Sequence, residues 1–174
     1  MADINFHFDP ICPWAWITSR WVTEVQQLRN YDVSWKFISL KMINESTDYS
    51  KMSPGQLEGH VFGLEVLRIA SAARTAEGNP GVASVYTAFG TAVHTNHRRE
   101  EAMKDSPAFY VKVLTEAGLP VKWAESSTDT SGSARYVSWL LIAGDADLQT
   151  LVGGIRLALS VDQIEHLVQI LLVV

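Results

Sequence analysis

The chain has one cysteine, Cys12, in 174 residues, so it can close no internal disulfide and form no multi-thiol zinc site. A lone thiol of this kind is either small buried filler or a reactive group in a reducing compartment. Positive charge is also scarce. Fourteen Lys and Arg face nineteen Asp and Glu, for a net charge of −5, and the only short basic pair is Arg98-Arg99. Phosphate binding needs clustered cations, so no nucleic-acid partner is expected. The final greasy segment, Leu167 to Val174, is far shorter than the roughly 20 residues that cross a bilayer, so no membrane partner is expected. Met1-Ala2-Asp3 leads into a strand with no basic or apolar leader, which points to the cytoplasm. There is no phosphate-cradling glycine loop and no nucleophile-elbow serine. His94 and His97 stand three apart with no third ligand at matching spacing, so no metal site is expected. Prolines stop at Pro120.

What is present reads as one globular domain, or one core with an inserted subdomain, with 47% hydrophobic and 19% charged residues. Ile4, Phe6 and Phe8 alternate with Asn5 and His7, giving a strand over 3–8. After Pro13, the residues Trp14, Ile17, Trp21, Val25 and Leu28 fall on one helical stripe, opposite Arg20, Glu24, Gln27 and Arg29. Residues 33–38 alternate as a second strand, so the start of the chain is a right-handed βαβ unit with parallel strands. Cys12 then sits where a strand hands over to a helix, with Pro13 in the first turn. Free amides and the positive end of the helix dipole favour a thiolate there, and such cysteines can have pKa values from about 3.5 to 7.5, against about 8.5 for a free thiol. Asp9 opposes this, because a nearby carboxylate raises a thiol's pKa. Trp14 is either a packing residue or an exposed platform for an aromatic substrate. Trp16, Trp21 and Trp35 read as packing.

A helical region follows. Ser53-Pro54 reads as the start of a helix with Leu57, Val61, Leu64 and Leu67 on its stripe, and Gly78 with Asn79-Pro80-Gly81 ends it. A second helix covers Val82 to Val93, with Val82, Val85, Phe89 and Val93 inward, and a third lies between Ser106-Pro107 and Gly118. Glu125 to Ser133 reads as a polar connecting loop. Beyond it, residues 136–143 read as helix, although the same residues could equally form a buried strand, and Ile155 to Leu159 reads as the one convincing further strand. Ser160 and Gln163 form a capping box for a last helix. The apolar C-terminal end hints at a homodimer contact. His60 reads as a solvated helix position, and His7 as a core histidine or a partner to the site.

Phe8-Asp9-Pro10-Ile11-Cys12-Pro13-Trp14, followed by Trp16-Ile17-Thr18-Ser19-Arg20-Trp21, resembles the DsbA-like thioredoxin-fold oxidoreductases, and most closely the mycothiol-dependent nitroreductase branch. The resemblance runs over residues 3–125. It implies an α/β thioredoxin-like sheet, built from 1–45 and 145–174, with an α-helical insert at 46–144 and a C-terminal part short of the full sheet. It also implies a catalytic Cys12 within a motif of Asp9, Pro10, Pro13, Trp14 and Ala15. Asn44, His94 and His97 are carried over as substrate-binding residues; read from the sequence alone, Asn44 is a turn residue and the histidines are surface groups. Two features depart from the family. Ala15 stands where the second cysteine of Cys-Pro-Trp-Cys belongs, and no proline follows Pro120 to supply the loop opposite the nucleophile.

The function expected is a monothiol oxidoreductase with no bound cofactor. Cys12 forms a mixed disulfide with a disulfide or electrophilic substrate, and a small thiol such as mycothiol or glutathione resolves it. The resemblance also implies nitroaromatic reduction. The alternatives are an enzyme similar to kappa-class glutathione transferases and 2-hydroxychromene-2-carboxylate isomerases, or a redox-inactive binding module.

Overall fold

The computed structural model describes residues 3–131. Strand β1 (Ile4–Phe8) leads through helix α1 (Pro13–Arg29) to strand β2 (Val33–Phe37), which lies parallel to β1 with Ile4 opposite Val33 and Phe8 opposite Phe37. Two parallel strands need such a crossover between them. Asn30 closes α1 in the left-handed region at φ 54°, and its N–H donates to the Gln26 carbonyl at 2.9 Å.

The outer edge of β2 is covered by side chains. Asn79 Oδ1 accepts from the Trp35 N–H at 2.9 Å and its Nδ2 donates to the Val33 carbonyl at 2.7 Å. Arg74 donates to the Trp35 carbonyl at 2.5 Å while its guanidinium lies 3.9 Å over the Phe37 ring. A bare strand edge would be a template for pairing with another chain, and these two residues fill it.

After the short helix α2 (Leu40–Ile43) and a 3₁₀ turn at Tyr49–Lys51 comes the central helix α3 (Gln56–Gly90). It is broken at Gly78, whose φ of +70° and ψ of −148° suit only glycine, so the expected stop and restart are both present. Its start is shifted from the expected Ser53-Pro54. Gly55 takes a left-handed φ of +79° as the cap, and Ser53 donates its N–H back to Gln56 Oε1 at 2.9 Å. A π-helical turn (Thr91–Thr95), helices α4 (Arg99–Lys104) and α5 (Ser106–Glu116), and a 3₁₀ segment (Val121–Thr128) complete the described chain. That last segment replaces the first part of the expected loop. Trp123 and Ser127 are buried, and Arg68 donates to the Ser127 carbonyl at 3.0 Å. The readings for 136–174, including the expected second piece of the sheet, lie outside the described residues.

Helix α3 serves two apolar cores. Phe62, Val66, Ile69 and Phe89 meet Phe109, Tyr110 and Trp123 on one side. Leu67, Val82 and Tyr86 meet Phe8, Val33, Trp35 and Trp16 on the other, with Phe8 and Tyr86 stacked at 4.0 Å. A helix packed on two sides buries more than one stripe, which is why only Leu67 of the four expected α3 residues is fully buried. The described part is therefore largely helical with a small parallel sheet, consistent with an α/β thioredoxin-like fold.

The face that α1 buries is not the one its large apolar residues mark. Trp16, Ser19 and Val22 are buried, whereas Trp14, Ile17, Trp21 and Leu28 are 49%, 61%, 64% and 80% exposed. Trp16 sets this rotation. Its ring occupies the space over Gly90, where a Cβ would come within 2.1 Å of it, and it meets Tyr86 edge-on at 5.7 Å. The Arg20 guanidinium lies over the ring at 4.0 Å. Trp16 and Trp35 thus pack as expected, and Trp21 does not.

Candidate active site

The loop between β1 and α1 is held by Asp9. Its backbone carbonyl accepts the Cys12 N–H at 3.1 Å, and its side chain, 1% exposed, accepts the Ile11 N–H at 2.9 Å and the Leu40 N–H at 2.7 Å. The same carboxyl thus ties the cysteine loop to the first amide of α2. Gly63 lets α3 pass beside it, since a Cβ there would fall 2.4 Å from Asp9 Oδ1. Burial pushes the Asp9 carboxyl up to about 7, although the Leu40 and Ile11 amides pull it down.

Cys12 is the N-cap of α1, in extended conformation at φ −76° and ψ 112°, and its carbonyl accepts the Trp16 N–H at 3.1 Å. Pro13 follows in the first turn, as expected. The expected lowering of the thiol is reversed. Burial pushes Cys12 above its ordinary value; the Ala15 amide works against this, the Asp9 charge adds to it, and the Trp14 amide opposes it weakly. The first-turn amides of Ala15 and Trp14 thus reduce the rise without cancelling the loss of water around the sulfur.

Beside this thiol lies a cleft of about 500 Å³ lined by Pro13, Trp16, Ile17, Val93, His94, His97, Arg99 and Glu100. It brings together Pro13 and both histidines read from the sequence. His94 Nε2 donates to the Pro10 carbonyl at 2.9 Å, and its ring lies 5.9 Å from Trp16 and nearly parallel to it. A carbonyl can only accept, so the neutral ring leaves Nδ1 as an acceptor. Burial holds His94 below the ordinary imidazole value; the Pro10 bond opposes this and Arg99 adds to it. His97 is exposed and left-handed at φ 54°, two residues after the end of the π-helical turn. A non-glycine residue in that region and a π turn are both uncommon, and here both shape one wall of the cleft.

The remaining site residues are spread around it. Trp14 is half exposed at the head of α1, and Ala15 packs partly into the core beneath. Asn44 does not line the cleft. Its Nδ2 donates to the Leu40 carbonyl at 2.8 Å, which closes the end of α2. Of the basic pair, Arg98 is bound by Glu101 and Glu116, and Arg99 reaches the cleft and donates to the Gly55 carbonyl at 3.0 Å. Arg99 was missed as a site residue. Its place two residues after His94-x-x-His97 was the available signal. His60 is buried rather than solvated, with Nδ1 3.0 Å from the Tyr49 hydroxyl. Among the described residues, no three His, Cys, Asp or Glu side chains gather as a metal-binding group, and no helix is long and apolar enough to cross a membrane.

Residues 11–139 match a family described as "Rv2466c-like: Mycothiol-dependent nitroreductase Rv2466c". The chain is also similar to "Uncharacterized protein Rv2286c" of Mycobacterium tuberculosis (strain ATCC 25618 / H37Rv), 27% identical over 129 residues. That alignment covers 74% of this chain and 53% of the relative, so the chain spans about half the relative's length.

Proposed function

This chain belongs to the Rv2466c-like family, and from that premise we propose that it is a thiol-dependent reductase working through Cys12 alone, in the manner of DsbA-like enzymes and in the reducing cytoplasm. The observation that carries the reading is the position of the thiol. Cys12 caps α1, and the next residue forms the near wall of a cleft whose size suits a small ligand.

The Cys12 thiolate attacks one sulfur of a disulfide RS–SR′, forming Cys12–S–SR and expelling R′S⁻, which takes up a proton. Ala15 cannot supply a second thiol. An external thiolate R″S⁻ therefore attacks the bound RS sulfur, releasing Cys12 as thiolate and forming RS–SR″. The net change is the exchange of one thiol for another across a disulfide, with mycothiol as the small thiol suggested by the family. A raised thiol is less ionised at neutral pH but intrinsically more nucleophilic once ionised. The π-turn wall, with Nδ1 of His94 as an acceptor and with His97 and Arg99, provides polar contacts for the cosubstrate. Trp14 offers an exposed indole face.

Intact mass after treatment with oxidised mycothiol tests this. One thiol should be added to the wild-type chain and none to Cys12→Ser. Binding of the thiol without covalent addition would instead support the transferase-like alternative.

A further inference from the structure

Asp9 uses both carboxyl oxygens on backbone amides from two separate segments, while its own carbonyl holds the Cys12 amide. Among the described residues no cation pairs with it. We propose that Asp9 is a positioning residue for Cys12: its buried carboxyl fixes the thiol-bearing loop onto α2, and its charge state sets how readily the thiol ionises.

Two interactions link the carboxyl to the sulfur. The first is mechanical, because losing either amide bond frees the Ile11 or the Leu40 end of the loop. The second is electrostatic, because the Asp9 charge opposes a thiolate three residues away in a poorly solvated site. The other titratable groups around it do not cancel that charge. Tyr86, from α3, is held neutral by burial. His94, from the π turn, is also disfavoured as a cation and is bound to the Pro10 carbonyl. Arg99, from α4, lies across Gly59 beside the Ile11 side chain and bonds to Gly55. Burial holds the carboxyl neutral to about 7, below the range where the raised thiol ionises, so the small thiolate fraction present near neutral pH is lowered as Asp9 becomes charged. The two groups titrate as a coupled pair.

The proposal concerns the same thiol as the function above but not its substrate, so it is tested with iodoacetamide on the intact chain. In the wild type, the logarithm of the Cys12 alkylation rate should rise with pH, flatten near pH 7 as Asp9 ionises, and then resume its rise. Asp9→Asn should remove the flattening and raise the rate above it, by up to about tenfold for a coupling of one pKa unit. Gly63→Ala keeps the charge but forces the carboxyl off its amides, which should move the flattening to higher pH. Circular dichroism identifies which variants fold. An unbroken rise in the wild type, or an unmoved profile in either folded variant, overturns the proposal. Failure to form a mixed disulfide with mycothiol would overturn the function and leave this coupling intact.

Discussion

At the scale of single residues, the site is governed by a few side chains that each hold a backbone group. His94 is one. Its Nε2–H satisfies the Pro10 carbonyl, two residues before the thiol, while its ring packs on Trp16 and lines the cleft. His94→Ala should therefore cost about 1–2 kcal/mol of stability and slow mixed-disulfide formation on Cys12. Urea unfolding and a mass-spectrometric time course check the two effects, and a wild-type rate would remove His94 from the site. Cys12 at the helix start and Pro13 in its first turn were legible in the sequence because their local order survives folding, whereas His94 and His97 entered only through the family resemblance. The raised thiol was not. A helix start can be read from Cys-Pro, but the loss of water around the sulfur depends on residues far along the chain. Asp9 was legible only as a charge near the thiol. Its role as a tie depends on Leu40 and Gly63, and no local pattern connects those three positions.

At the scale of elements, the strand-helix-strand start and the break at Gly78 follow from the sequence, because alternation, Gly and Pro act locally. The rotation of α1 does not. Periodicity selects the face with the most apolar area, yet Trp16 is drawn inward by a space that exists only because residue 90 is glycine. Gly90→Ala should test this directly. Gly90 is ordinary helical backbone at φ −63° and ψ −41°, so alanine costs nothing conformationally, and any loss reflects the clash with Trp16. A destabilisation of about 1–3 kcal/mol is expected, with a change in Trp16 fluorescence. Pairing it with Trp16→Leu should recover part of the loss. A neutral Gly90→Ala would mean that Trp16 does not fill that space.

For the whole molecule, pH dependence combines two opposite signs. His7, His60 and His94 all have lowered values, chiefly from burial. Near and below 6.5 the unfolded chain therefore binds more protons at these groups, and their contribution to stability is lost on acidification. Asp9 has the reverse effect. Its folded value of about 7 lies above its ordinary 3.8, so its contribution is fully present below 3.8 and is lost as pH rises through 7. Relative to Asp9→Asn, the wild type should lose stability between pH 4 and 7, on the order of a few kcal/mol. Urea midpoints across that range check this, and a difference that stays flat with pH contradicts it.

The proposed function requires a thiol that trades partners from outside the chain, because Ala15 offers none within it. The direct measurement is the complete cycle followed by intact mass. The chain is first loaded with one mycothiol on Cys12, then given excess reduced mycothiol. The adduct should disappear as free Cys12 returns and one equivalent of mycothiol disulfide appears in solution. An adduct that never forms under conditions that modify an unstructured cysteine peptide, or one that persists in excess thiol, would contradict the account.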